Sequence, residues 1–434
     1  MRAALWLVAL FGVAVAVALF AGDNHAVVTL FWPPHRIDLS LNLLILLLAA
    51  AFVLLHLALK AFGAVASLPL QARRWRALQK ERAMYAALMD ALAHLLAGRF
   101  IRASRFAENA LLQEKGLNQL SADVGFDSGH HQSRSQQLRS LAHLLVAESA
   151  QSLQNRALRD LHLQEALETA GGRVLLETRE GIQMRAARWA LDDREPTAAL
   201  AWLGQLPQGV SRRTLALRMR LRAARMAHQT AEAMDTARLL VKHRAFSYPA
   251  AQSIIRGLAI ELLKGAHDPQ QLCHVWLSLD EDERLIPEVA IHAAGRLMVL
   301  GGQAAVARQW LAGVWDAAMS PRSELSDRLR VKFIVALESS LDAVDAVWLA
   351  RIEAGVLARP GDANLEYLAG MACLKRQLWG KAQQLLSHAA LSLQDAHLQR
   401  KLWRVLAELA EQRGDEHAAE LAYKRAAAVE SASD

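Results

Sequence analysis

The residue types that carry chemistry are present but not grouped. Cys273 and Cys373 lie 100 residues apart, so the chain writes neither a CxxC zinc or redox pair nor a disulfide framework. Two cysteines in so long a chain fit a reducing compartment. Cys273 is followed by His274 on an expected helix, and packing is the reading preferred there over reactivity. His130-His131 has no carboxylate or cysteine cluster beside it, so it reads as part of a loop before it reads as a metal site. The sixteen histidines are scattered. Any could ligate a haem iron, and the sequence picks out none. No two glycines are separated by a single residue, which removes the GxGxxG fingerprint of flavin and nicotinamide binding. GxxxxGKS/T, HExxH and GxSxG are missing as well. Trp189, Trp202, Trp276, Trp310, Trp315, Trp348, Trp379 and Trp403 fall in helical context. Most read as filler between helices, with a minority lining a ligand or partner groove as the alternative. The expectation is a non-enzyme with no catalytic residue, no metal site and no assigned cofactor.

The elements that hold these residues follow from charge and apolar patterning. The chain has 434 residues, 53% apolar and 21% charged, with only 10 prolines and 23 glycines. That composition excludes disorder and favours helix throughout. Residues 1–82 carry eight Lys/Arg against three acids, a net +5 of the total +7. The near-neutral remainder argues against nucleic acid as a partner.

Residues 3–22 and 39–59 contain no charged side chain. Each is long enough, at about 1.5 Å per residue, to match the roughly 30 Å hydrocarbon layer of a bilayer. The alternative for the first is a cleaved signal peptide, with Leu19-Phe20-Ala21 as a poor cleavage site. The loop between the spans holds one basic residue, Arg36, while 60–82 holds six, so the positive-inside rule places both termini in the cytoplasm. The domains expected are a membrane anchor at 1–62 with a periplasmic loop at 23–38, a basic juxtamembrane segment at 63–82 and a cytoplasmic helical body at 83–434. Within the loop, 26–32 reads as a short strand or turn ending in Phe31 and Trp32. His56, near the end of the second span, reads as tipped toward the headgroups, with a buried ligand or proton relay as the alternative.

From about residue 70 onward the chain reads as short antiparallel helix pairs. Asp268-Pro269 and Ser320-Pro321 look like helix starts. The tetratricopeptide pattern of small residues at the crossing of two helices recurs. Its best match is Trp403, Leu406, Ala407, Ala410, Gly414, Ala419, Tyr423 and Ala426, preceded by Gly370, Cys373, Ala382, Leu386 and Ala389. Further units read Ala187, Ala190, Ala199, Leu203, Leu206, and then Leu221, Ala224, Ala233, Ala237, Leu240. A weaker one is Ala294, Leu297, Gly301, Val306, Trp310. Nearest the membrane come Ala91, Gly98, Ala103, Ala107, Ala110, and Ala147, Ala150, Leu163, Ala166. Small side chains let paired helices approach, and large ones fill the gap to the next pair. Residues 113–137, rich in glycine and serine, read as a mobile insertion. The fold class expected is all-α: two transmembrane helices followed by an α-solenoid of tetratricopeptide-like pairs.

This layout resembles the HemY proteins of proteobacteria. The resemblance is carried by Trp348-Leu349, Arg351-Ile352-Glu353-Ala354, Pro360 and Leu378-Trp379-Gly380-Lys381-Ala382, and by the passage from Val27-Val28-Thr29 to Ser40-Leu41. It implies an inner-membrane protein associated with late haem and porphyrin biosynthesis, with protein partners among the enzymes of that pathway. The missing GxG separates the chain from the unrelated flavoprotein oxidase that shares the label. The leading expectation is a membrane-tethered scaffold that organises pathway enzymes. A tetrapyrrole-binding carrier or sensor and an assembly factor for another envelope process are the alternatives. Haem or porphyrin binding is left without assigned residues.

Overall fold

The computed structural model describes residues 2–22, 26–124, 129–320 and 325–431. They form two compact units, divided after Ile182.

The first unit opens with α1 (Arg2–Gly22), followed by a hairpin of β1 (Val27–Trp32) and β2 (His35–Ser40) paired from Val27↔Ser40 to Trp32↔His35. The expected strand in the loop therefore forms, and it brings a second one with it. These are the only strands among the described residues, and the rest is helical. Ser40 ends β2 and caps α2 (Leu41–Leu96), its Oγ accepting from the Leu43 amide at 3.3 Å. α2 runs unbroken through the apolar run, the basic segment and the first repeat position. At 56 residues it is about 84 Å long. Antiparallel partners follow in α3 (Phe100–Val124), α4 (Gly129–Ser152) and α5 (Arg156–Thr169).

Of the two expected spans, α2 is long and apolar enough to cross a bilayer, and among the described residues of the 21-residue α1 the apolar run is Val8–Leu19. The described part of the segment read as a mobile insertion, 113–124 and 129–137, is helical and extends α3 and α4. Buried Glu114 pins this extension. It accepts two bonds from the Arg139 guanidinium at 2.9 and 2.8 Å, one from Ser135 at 2.7 Å and one from Asn118 at 2.7 Å. A satisfied buried carboxylate of this kind outweighs the low helix propensity of the neighbouring serines and glycines. The side chains of His130 and His131 lie outside the described residues.

The second unit is a run of helix pairs. The division falls within α6 (Leu176–Asp192), which α7 (Pro196–Gly204) follows. The short α8 (Gln208–Ser211) leads to α9 (Thr214–Met226), on which α7 packs, and to α10 (Thr230–Lys242). α11 (Tyr248–Lys264) is followed by α12 (Pro269–Ser278) and the one-turn α13 (Glu281–Arg284), then α14 (Pro287–Val299) and α15 (Ala304–Met319). α16 (Asp327–Ser339), α17 (Ala346–Ala358), the pair α18 (Ala363–Lys375) with α19 (Trp379–Ala389), and the pair α20 (Ala396–Gln412) with α21 (Glu416–Ser431) complete it, α16 packing against α14 and α18. The Asp268 carboxylate caps α12 as expected, accepting from the Gln271 amide at 2.7 Å. Ser320 instead closes α15, and α16 is capped by Ser326. Pro321 lies outside the described residues.

One turn recurs within the pairs of both units. Three residues join the helices, and the middle one adopts left-handed φ: Gly98, Gln154, Arg194, His228, Gln377 and Gly414, between 56° and 75°. The following amide bonds back to a carbonyl five residues earlier, as Asn155 to Ala150, Glu195 to Ala190, Gln229 to Ala224, Leu378 to Cys373 and Asp415 to Ala410, at 2.8–3.0 Å. This satisfies a carbonyl that the helix end leaves open. The accepting residues are the small ones singled out from the sequence, so one position serves both the helix crossing and the helix stop. The turn from α14 to α15 has one residue more. Its second helix is therefore rotated by one position from the expected register: Ala307, Leu311 and Val314 are buried in place of Val306 and Trp310.

Candidate membrane anchor and repeat surfaces

The anchor is built from the hairpin and α2. Phe31 and Trp32 at the hairpin turn are 74% and 71% exposed, and the Arg36 guanidinium lies 5.6 Å from the Phe31 ring centroid. The Leu41 amide bonds to Ala26 O at 2.9 Å and ties the hairpin root to the helix. Along the first half of α2 the large apolar side chains, Leu46, Phe52, Leu54 and Phe62 among them, are exposed. His56 stacks on Phe52 with ring centroids 6.5 Å apart. A soluble protein does not leave so long an apolar surface uncovered, whereas lipid tails cover it without cost.

The same helix then changes environment. Met84, Ala87 and Ala91 are buried at helical spacing against Ala107, Ala110 and Leu111 of α3 and Ala142 and Val146 of α4. Ala91, Ala103 and Ala107 have no exposed surface, which is what close helix approach needs. Between α4 and α5, His143 and His162 meet Nδ1 to Nδ1 at 2.9 Å. Burial, with His162, Arg139 and Lys115 adding to it, lowers the His143 pKa to about 4, and burial lowers that of His162. Both rings are therefore neutral at pH 7, one donating its Nδ1–H to the other.

In the second unit the expected packing residues converge as pairs. Gly370 and Cys373 of α18 and Ala382, Leu386 and Ala389 of α19 are all buried. A Cβ on Gly370 would stand 2.7 Å from Leu386 Cγ and 3.4 Å from Ala382 O, so this crossing takes no side chain there. Ala407 and Ala410 of α20 and Ala419 and Ala426 of α21 are buried, while Trp403 and Leu406 are half-buried and Tyr423 is exposed. The Arg425 guanidinium lies 4.6 Å from the Trp403 ring centroid. The pairs Ala187/Ala199 and Ala224/Ala233 are buried in the same way.

The tryptophans pack on one another along the second helices. Trp276 stacks on Trp310 with centroids 4.6 Å apart, and Trp315 stands edge-on to Trp348 at 6.1 Å and beside Phe333 at 6.2 Å. The Cys373 thiol is buried, and burial raises its pKa, which disfavours the thiolate. Cys273 is also a free thiol. No group of three or more His, Cys, Asp or Glu able to hold a metal occurs among the described residues.

Two kinds of contact escaped the sequence reading. Arginines bond to the carbonyls that end a neighbouring helix: Arg218 to Ala245 O at 2.7 Å, Arg296 to Ala266 O at 3.0 Å, Arg359 to Ser320 O at 2.9 Å and Arg376 to Val344 O at 3.3 Å. Buried Arg308 does the same to Ser340, Asp342 and Ala343. The second kind is a set of polar contacts from α16 to α20 and from α18 to α19. Lys401 Nζ reaches Glu338 at 2.7 Å, and the His388 ring meets Glu366 at 2.7 Å, both carboxylates being buried. Burial and the Glu338 charge raise the Tyr367 pKa between them. Arginines one repeat from a helix end would have been the signal for the first kind. The second leaves no periodic trace.

Residues 27–123 match the family model described as the HemY protein N-terminus. The match covers the hairpin, α2 and all but the last residue of α3. No curated protein matches the chain. Among solved structures, the structure of Naa15/Naa10 bound to HypK-THB is 12% identical, with a TM-score of 0.24, over 78% of this chain and 57% of that one. The APC/C hetero-tetramer Cut9-Hcn1 is 12% identical, with a TM-score of 0.27, over 79% and 66%. The P58(IPK) TPR domain is 14% identical, with a TM-score of 0.21, over 76% and 99%. The chain thus spans less than two thirds of the length of the first two.

Proposed function

We propose that this chain, which carries the HemY N-terminal region over residues 27–123, is a membrane-anchored tetratricopeptide-like scaffold associated with late haem and porphyrin biosynthesis. It crosses the inner membrane twice, through residues 3–22 and 39–59, with both termini in the cytoplasm. Its helix pairs bind pathway enzymes near the membrane into which porphyrins partition. The observation that supports this reading is the continuity of α2. The apolar rod and the first repeat helix are one element, so a partner held by the repeats stays close to the bilayer. Tethering of this kind raises effective concentration without new chemistry. We assign the chain no catalysis of its own.

The test is affinity purification of the full chain from gently solubilised membranes, with identification of co-eluting proteins. Recovery of haem-pathway enzymes supports the scaffold. Their absence, with enzymes of an unrelated envelope process in their place, refutes it. A reporter active only in the periplasm, fused to the C-terminus, should stay silent.

A further inference from the structure

Four side chains on three packed helices of the second unit, α11, α14 and α16, place cationic and donor groups together without an acid among them, α14 lying between the other two. Lys264 is the last residue of α11, His292 and Arg296 lie one turn apart on α14, and Lys332 lies in the second turn of α16. α14 packs directly against both α11 and α16. Arg296 is fixed in place by its bond to Ala266 O at 3.0 Å, just past the end of α11 and beside Lys264. Two buried nitrogens in the cluster, His292 Nε2 and Arg296 Nε, have no hydrogen-bond partner. An unpaired buried polar atom is costly, and native structures seldom keep one without a use.

The nearest carboxylates on these helices are engaged elsewhere. Glu288, one turn before His292, is held by Arg256 at 2.7 Å, and Glu261 accepts from Thr230 at 3.4 Å. Among the described residues no carboxylate pairs with Lys264 or Lys332. The proximity of the four groups also registers at His292: burial, then Lys264, Arg296 and Lys332, lower its pKa, and no acid offsets them. Like charges gathered around one half-buried imidazole repel each other. A structure keeps such an arrangement at a cost that a bound anion removes.

We propose that Lys264, His292, Arg296 and Lys332 form a binding site for a multiply charged oxyanion, either a polycarboxylate or a phosphate compound. Lys264 and Lys332 supply mobile ammonium donors from the two flanking helices. Arg296 and His292 supply fixed donors from the floor. Three permanent positive charges match a ligand with two or more negative ones better than a monovalent anion. This inference does not rest on the scaffold reading and can stand or fall without it.

The experiment uses the full chain in non-ionic detergent and titrates it calorimetrically at constant ionic strength with two probes, pyrophosphate and propane-1,2,3-tricarboxylate. Binding of pyrophosphate alone assigns the site to phosphate compounds, and binding of the tricarboxylate alone assigns it to polycarboxylates. Binding of both leaves the oxyanion assignment intact. Binding of neither overturns it. Lys264→Gln with Lys332→Gln should weaken the bound probe by about tenfold or more. Lys424→Gln, on α21, should leave affinity unchanged. Equal losses in the two proteins would mean a general charge effect and would overturn the site. Both lysines are exposed, so the double variant should fold. Should its helical circular dichroism nevertheless fall, Lys332→Gln alone decides, and an unchanged affinity there overturns the proposal.

Discussion

Gly370 and Gly257 are both glycines inside helices, and the structure expects the same substitution to act with opposite sign at the two places. Around Gly257, in the middle of α11, an added Cβ meets nothing within 4 Å. Gly257→Ala therefore only reduces the freedom of the unfolded chain and improves helix propensity, which stabilises by about 0.5–1 kcal/mol. At Gly370 the new methyl would stand 2.7 and 2.8 Å from two carbons of Leu386. Leu386 is fully buried and cannot swing away, and Ala382 O holds the backbone of α19 in place on the other side. Overpacking of this kind costs about 1–3 kcal/mol, so after the propensity gain Gly370→Ala is expected to destabilise by roughly 0–2 kcal/mol. Gly370→Val adds two more carbons and should fall at or beyond the upper end. A repeat array does not unfold in one step, so the measurement must be local. Hydrogen exchange by mass spectrometry on the full chain in detergent, read over 363–389, reports the pair directly. If Gly370→Ala protects that segment as well as Gly257→Ala protects 248–264, the close crossing of α18 and α19 is not as described.

Three further outcomes follow from contacts already given. The folded His143 pKa lies below its ordinary 6.5, at about 4, so the unfolded chain binds more protons between those values. Stability of the α4–α5 pair should be fully present above pH 6.5 and decline as pH falls toward 4, and His143→Gln should flatten the pH dependence of exchange in 140–169. Lys401→Met leaves the buried Glu338 carboxylate without its ammonium partner and should destabilise α16 and α20 by about 1–3 kcal/mol, while adding Glu338→Gln should recover part of the loss in a double-mutant cycle of urea unfolding. Ala419→Trp forces α20 and α21 apart at about 1–3 kcal/mol and should expose residues 396–431 to limited proteolysis before the central pairs, an unchanged cleavage pattern counting against the register.

Which parts of this fold the sequence discloses depends on whether a feature is periodic. The apolar run in α2 is legible because a charge-free stretch of that length has few other uses. Its continuation to Leu96 is hidden, since Lys60, Gly63 and Pro69 look like punctuation. The crossings at Gly370/Leu386 and Ala407/Ala419 are legible because small residues recur at fixed spacing. The turns are legible only where glycine takes the left-handed conformation, at Gly98 and Gly414. Gln154, Arg194, His228 and Gln377 adopt it as well, at a cost of roughly 1–2 kcal/mol each that the helix-stop bonds offset. A one-residue difference in turn length shifted the register of α15, and no composition signal marks it. The oxyanion site was out of reach for another reason. Its four residues come from three repeats, and only the packing of α14 between α11 and α16 brings them together.

If α2 crosses the bilayer as proposed, its continuity also makes the bilayer a mechanical part of the protein. With the crossing proposed at 39–59, residues 61–96 form a lever arm of about 54 Å beyond the membrane. A helix that fits a thinner or thicker membrane by changing its tilt carries that rotation along its whole length. A tilt change of about 20° displaces the far end of the arm by roughly 18 Å. The first helix pair is fastened to that end through Ala91 and Ala107. Local membrane thickness would thereby be converted mainly into a sideways displacement of the first pair over the lipid.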